Sequence, residues 1–302
     1  MTTLIRADPA DQPAEPTGDV TDTTPRADCT ADSAGGLTFD VTDHGASGAA
    51  HLVLRRRPTE SQPGDSDSSG DGKGDGDDEL RLPLSPAADG SLRAALPSSV
   101  ELAEGRWDVY AQLAGEKPQR LAPGLNDLRS LVDRVPSGAR GHVAVRIPYA
   151  TQHGNLTVRS WWRAPHAEAG ELLIDGTELT VHGRVYGTGL TDGAYAELSG
   201  RRGTAPAVRA EVTVRESGFV FTVAYADLVE AGGGPGVWDL WLRPTGDTGP
   251  RVRLARLLDD VADKQPIFTY PATRMETEHG TADAGPYYTL DNDLSVRVAL
   301  PS

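Results

Sequence analysis

A single cysteine, Cys29, occurs in 302 residues. No internal disulfide can therefore form, and a lone thiol in a polar stretch fits a reducing compartment. Long apolar runs are also missing. No 18 consecutive residues are apolar, so no membrane-spanning helix and no membrane insertion are expected. The first nine residues place no apolar run behind a basic one, so no secretory leader is expected, and the location that follows is cytoplasmic. Aromatic residues make up only 6% of the chain, which gives each of the five tryptophans unusual weight in any core.

Positive charge is scarce and scattered. The net charge is −15, but residues 1–34 contribute −5 and residues 61–80 contribute −6, leaving −4 for everything else. No basic stripe runs along the chain, which argues against a nucleic-acid partner.

The common catalytic signatures are missing as well. The seven histidines show no His-x-x-x-His or His-Glu spacing suited to zinc. No Gly-x-Ser-x-Gly elbow occurs. Gly70-Asp-Gly-Lys73-Gly lacks both the glycine spacing and the hydroxyl residue of a phosphate loop. Asp65-Ser-Asp67 opens like a calcium loop, yet Gly76 stands where the bidentate acid belongs. No catalytic residue, resident metal or cofactor is expected.

What is present is alternation. Leu37-Thr-Phe39-Asp-Val41, Leu80-Arg-Leu82-Pro-Leu84 and Gly105-Arg-Trp107-Asp-Val109-Tyr each put apolar residues on one strand face. Such runs recur every 8–15 residues with Gly, Pro and Asp between them, which predicts an all-β chain of β-sandwiches. Further strands are predicted over 171–174, 178–185, 219–225, 238–243, 251–255, 266–270 and 294–300, among others. Single helical turns are possible at 125–132 and 256–261. The predicted organisation is a disordered acidic tail over 1–34, a first sandwich over 35–165 with an acidic low-complexity loop at 61–78, and a second sandwich over 170–302.

An internal duplication is read from two matches. Gly105-Arg-Trp107-Asp corresponds to Gly236-Val-Trp238-Asp, 131 residues apart, and Tyr149 corresponds to Tyr287, 138 residues apart. In each half an apolar strand end, a turn and Gly-x-Trp resemble the corner between two strands of immunoglobulin-like sandwiches. Trp107, Trp238 and Trp241 are accordingly expected in cores.

Two motifs are candidates for binding. Asp291-Asn-Asp293 has the spacing with which nucleotide-sugar transferases hold a divalent metal, although a simple turn explains it as well. Trp161-Trp162 ends the first sandwich, and one strand cannot bury both rings on one side. One ring is therefore expected to be exposed as a sugar-stacking platform or packed between the domains. Trp161, Trp162, Tyr287, Asp291 and Asp293 together form the candidate binding set.

Val237-Trp-Asp-Leu-Trp-Leu-Arg, Arg251-Val-Arg-Leu-Ala-Arg-Leu-Leu-Asp-Asp-Val and Pro286-Tyr-Tyr-Thr-Leu-Asp-Asn-Asp-Leu-Ser-Val-Arg carry a family resemblance. They resemble actinobacterial tandem immunoglobulin-like sandwich proteins and the accessory sandwiches of wall-polymer glycosyltransferases and polyol-phosphate transferases. The resemblance implies a non-catalytic binding or assembly module beside glycosyl-transfer machinery, with a protein or glycan partner and possible self-association. The alternatives it leaves open are a metal-dependent transferase and a protein scaffold without glycan contact.

Overall fold

A computed structural model describes residues 24–42, 49–58, 78–137, 141–202, 205–215 and 218–301. Most of the expected tail, up to residue 23, and the expected acidic loop up to residue 77 lie outside these residues. The chain is almost entirely β, in two sheets. Among the described residues no helix is long and apolar enough to cross a membrane.

The first sheet uses β1 (Arg26–Ala31), β2 (Leu37–Val41), β3 (Ala50–Arg56), β4 (Glu79–Pro86), β5 (Leu92–Leu96), β6 (Gly105–Leu113), β7 (Gln119–Arg120), β8 (Ala122–Asp127), β9 (Val143–Ala150) and β10 (Leu156–Arg163). Their spatial order is β8-β1-β2-β5-β4-β3-β6-β10-β9, with β7 alongside β6. The two ends of this order approach one another. Leu156 N–H donates to Leu121 O at 2.8 Å and Asn126 Nδ2 to Pro148 O at 3.4 Å, so the sheet wraps a core that includes Phe39, Leu52, Leu54, Trp107 and Val145.

β1 corrects the boundary of the acidic tail. Its residues alternate, with Ala27, Cys29 and Ala31 buried and the polar residues between them exposed, and it pairs with β2 and β8. Small side chains carry little hydrophobic signal in a polar sequence, but they suit a close-packed core beside Phe39, which opposes Cys29 across the β1–β2 pair.

The second sheet uses β11 (His166–Asp175), β12 (Glu178–Tyr186), β13 (Tyr195–Gly200), β14 (Val208–Glu211), β15 (Thr213–Arg215), β16 (Gly218–Ala224), β17 (Gly236–Arg243), β18 (Val252–Ala255), β19 (Thr273–Thr277), β20 (Gly280–Tyr288) and β21 (Leu294–Ala299). The order is β15-β16-β12-β11-β18-β17-β21-β20-β19, and a β14-β13 pair joins through β17. β18 bridges the two faces, parallel to β11 and antiparallel to β17. Trp238, Phe221, Tyr288 and Leu294 lie in the enclosed core.

One register recurs. On the first sheet Trp107 opposes Val158 and Asp108 opposes Thr157, which in turn opposes Tyr149. On the second, Trp238 opposes Val296 and Asp239 opposes Ser295, which opposes Tyr287. The polar contacts recur too. Thr157 Oγ1 donates to Asp108 at 3.0 Å and Ser295 Oγ to Asp239 at 2.8 Å. Arg120 binds Asp108 and the Val109 carbonyl, and Arg253 binds Asp239 and the Leu240 carbonyl.

The remaining differences from sequence expectation have local causes. Residues 225–232 form an α-helix, α1 (Tyr225–Gly232), between the expected strand over 219–225 and the turn before Gly236, where no helix is predicted. Tyr225, Leu228 and Val229 supply its buried face at helical spacing, and Gly233 closes it in the left-handed region (φ 65°). Residues 266–270 are irregular rather than a strand, while β19 and β20 form the hairpin beyond them. The helical turn near 125–132 is a short 3-10 turn at Arg129–Leu131 following β8, and residues 256–261 form no helix. Trp241 is not a core residue. It lies three positions from Trp238, so a strand turns it to the opposite face, where Arg251 and Arg253 cover its ring at 4.1 and 5.2 Å.

Candidate functional site: the joint between the two sheets

β9 and β10 are buried almost without alternation, as a strand must be when both faces are covered. One face packs on the first core. The other, carrying Arg159, Trp161 and Arg163, meets the hairpin turn between β20 and β21, and there Trp161, opposite Val145, continues the first core out to the joint.

That turn is Asp291-Asn292-Asp293. Thr289 holds it from inside, its Oγ1 accepting the N–H groups of Asp291 and Asp293 at 3.2 Å each. Asn292 is fully buried with a left-handed backbone (φ 62°), a conformation Asn tolerates better than most residues. Its side chain accepts from Lys264 N–H at 3.0 Å and donates to Ala262 O at 3.2 Å, and its carbonyl accepts from Arg256 N–H at 3.0 Å.

Each aspartate is already engaged. Arg159 donates to the Asp291 carboxylate, and Trp161 Nε1 donates to the Asp291 carbonyl at 3.1 Å. Arg163 donates to Asp293 at 2.8 Å and to Glu104 at 2.9 and 3.2 Å. Burial lowers the Arg163 pKa, but Asp293 and Glu104 outweigh it and the net shift is upward. Burial lowers Arg159 on balance, with Asp291 opposing. Burial likewise lowers Arg253, which faces Asp293 at 3.7 Å. A divalent metal at this turn would have to displace guanidinium groups that already neutralise the carboxylates.

The segment after β18 completes the joint. Leu257 leaves the second sheet and is buried in the first core. Glu168 receives the N–H groups of Leu257 and Leu258 at 2.9–3.1 Å and pairs with buried His166 at 2.7 Å. Lys264, fully buried, reaches back to Asp259 at 2.5 Å and to the Val261 carbonyl, and burial lowers its pKa against the opposing pull of Asp259.

The candidate binding residues thus divide. Trp161, Asp291 and Asp293 come together at the joint, and Trp161 has no exposed face. Trp162 turns the other way and stacks on His142 with ring centroids 4.0 Å apart. Tyr287 makes its contact elsewhere, half-buried beneath Arg297 at 4.6 Å. Arg159, Arg163, Asn292, Glu168 and Leu257 were not singled out from sequence. Only Arg159-x-Trp161-x-Arg163 carried a readable signal: period-two spacing of long amphipathic side chains on one strand face.

No protein-family model matches the sequence, and no curated protein matches it. Among solved structures, one of S. aureus TarS is similar at 12% identity and a TM-score of 0.37, over 53% of this chain and 28% of that one. A marsupial T cell receptor is similar at 7% identity and a TM-score of 0.24, over 91% and 90% of the two chains. The chain thus spans little more than a quarter of the TarS chain it matches.

Proposed function

We propose that this protein is a non-catalytic binding and assembly module of two immunoglobulin-like sandwiches, derived by duplication, that works beside glycosyl-transfer or wall-glycopolymer machinery. The recurring Trp-Asp-Ser/Thr register and the paired Arg120 and Arg253 contacts support the duplication. The observation that carries the functional reading is the commitment of both aspartates of the Asp-x-Asp turn to Arg159 and Arg163. This geometry favours a structural clasp over a metal-diphosphate site, and a clasp suits a protein that presents surfaces at a fixed relative angle. The glycan association rests on the resemblance of residues 237–243, 251–261 and 286–297.

Titration calorimetry of the full chain against glycopolymer fragments and nucleotide sugars, with and without Mn²⁺, tests it. Metal-independent glycopolymer binding is expected. Mn²⁺-dependent nucleotide-sugar binding that disappears in an Asp291→Asn/Asp293→Asn variant would overturn it in favour of a transferase.

A further inference from the structure

The chain is acidic overall, yet the outer face of the first sheet gathers arginines that lie far apart in sequence. Arg55 and Arg57 stand at alternate positions on and just past β3, Arg81 comes from β4, Arg106 from β6 and Arg120 from β7. Two carboxylates stand among these five cations, and each is shared. Glu79 accepts from Arg55 at 2.8 Å and Arg81 at 2.7 Å. Asp108 accepts from Arg57 at 2.7 Å and Arg120 at 2.5 Å. Tyr110 sits between the two pairs, with Arg55 at 5.2 Å and Arg120 at 5.0 Å from its ring centre. No carboxylate among the described residues pairs with Arg106. The crowding is felt: burial lowers the Arg120 pKa, and the neighbouring Arg57 charge adds to the lowering.

The matching face of the second sheet shows which of these groups belong to the shared fold and which differ. Arg57, Arg120 and Asp108 have counterparts in Arg201, Arg253 and Asp239, so that cluster belongs to the fold. At the registers of Arg55 and Arg106 the second sheet carries Ser199 and Val237. At the register of Val53 it carries Glu197, which neutralises Arg243 at 3.2 Å and Arg251 at 2.7 Å. The second face also carries five arginines, with Arg209 at the register of Arg81, but three carboxylates, Asp239, Asp247 and Glu197, stand among them. The first face sets only Glu79 and Asp108 against its five.

The geometry points to this face as the binding site for a flexible linear polymer whose neutral sugar or polyol units are joined by phosphodiesters. The inference rests on the glycopolymer reading above and adds the site and the ligand charge. Guanidinium groups with unspent N–H donors match phosphate oxygens well. The arginines spread over four neighbouring strands, roughly 14 Å at the usual strand spacing. Tyr110 is covered by arginines, so no ring is presented there for base stacking, which nucleic-acid single-strand sites use. A duplex, with a charge every ~1.7 Å, would also run from this patch onto the acidic remainder of the surface.

The test is fluorescence-anisotropy binding of the full chain to labelled poly(glycerol phosphate), neutral dextran and oligo-dT, across a salt series. Poly(glycerol phosphate) is expected to bind, weakening as salt rises, with dextran failing to compete. Arg55→Ser/Arg106→Val, which installs the residues of the second sheet, should weaken it about tenfold or more. Arg81→Gln, a single exposed change, should weaken it less, and Arg209→Gln on the second sheet should leave it within about twofold. Absence of poly(glycerol phosphate) binding at low salt, or affinity unchanged in both first-sheet variants, would overturn the site. Dextran binding that survives those variants would overturn it while leaving the glycan-module reading intact. Tighter binding of oligo-dT than of poly(glycerol phosphate) would overturn the ligand assignment.

Discussion

Arg163 and Asp293, distant in sequence, meet at 2.8 Å across the joint while Glu104 holds the other edge of the same guanidinium. The cation is satisfied as a three-body unit with only 13% of its side chain exposed. Asp293→Ala leaves Arg163 paired with Glu104 alone and should cost about 1–3 kcal/mol. Asp291 differs, because Arg159, with only 6% of its side chain exposed, has no other ion pair among the described residues. Asp291→Ala should cost about 3–5 kcal/mol. Urea denaturation of the two variants gives the comparison, and equal losses would refute the asymmetry.

The two tryptophans of β17 should respond very differently. Trp238 is buried in the second core, so Trp238→Ala removes packing and should cost about 3–5 kcal/mol. Trp241 lies on the outer face between two arginines, and Trp241→Ala should cost about 1 kcal/mol. Thermal melts of both variants measure the difference. A Trp241 loss as large as that of Trp238 would place both rings in the core after all.

Leu257 ties the two sheets together, since it departs from β18 yet fills the first core. Leu257→Ala should cost about 2–5 kcal/mol. It should also expose the segment around residues 256–264 to limited proteolysis, because the backbone bonds to Glu168 and Asn292 depend on that anchor. Cleavage rates unchanged from wild type would show that the polar bonds hold the segment without the plug.

Much of this architecture is legible in the sequence, because strand alternation is a local, period-two property. Leu37, Phe39 and Val41 are buried together on β2, and Trp107 and Trp238 fill their cores. The joint is not legible in the same way. Asp291-Asn-Asp293 reads alike as a metal pair or a turn until Arg159 and Arg163, some 130 residues earlier, are brought to it. β1 is hidden because Ala27, Cys29 and Ala31 are too small to stand out among acidic neighbours. The cationic face is invisible in one dimension because its arginines stand singly or at alternate positions on four strands spread over residues 55–120.

Cys29 gives a pH signature with a definite sign. Burial, with smaller contributions from Asp28 and Asp40, raises its pKa from 9.0 to about 12. In the unfolded chain the thiol ionises near its ordinary value, whereas the folded protein keeps it protonated. Its contribution is thus fully present below pH 9 and is lost as the pH rises toward 12. Between pH 9 and 10 the loss should be about 1 kcal/mol, before the tyrosines ionise in the unfolded chain. Above pH 10 Tyr225, raised to about 12 by burial, adds a loss of the same sign. Urea midpoints of wild type and Cys29→Ala at pH 8, 9 and 10 separate these contributions. The variant should start lower, through its lost packing, but fall less steeply between pH 9 and 10. Parallel slopes would mean that the thiol ionises in the folded state as readily as in the unfolded chain.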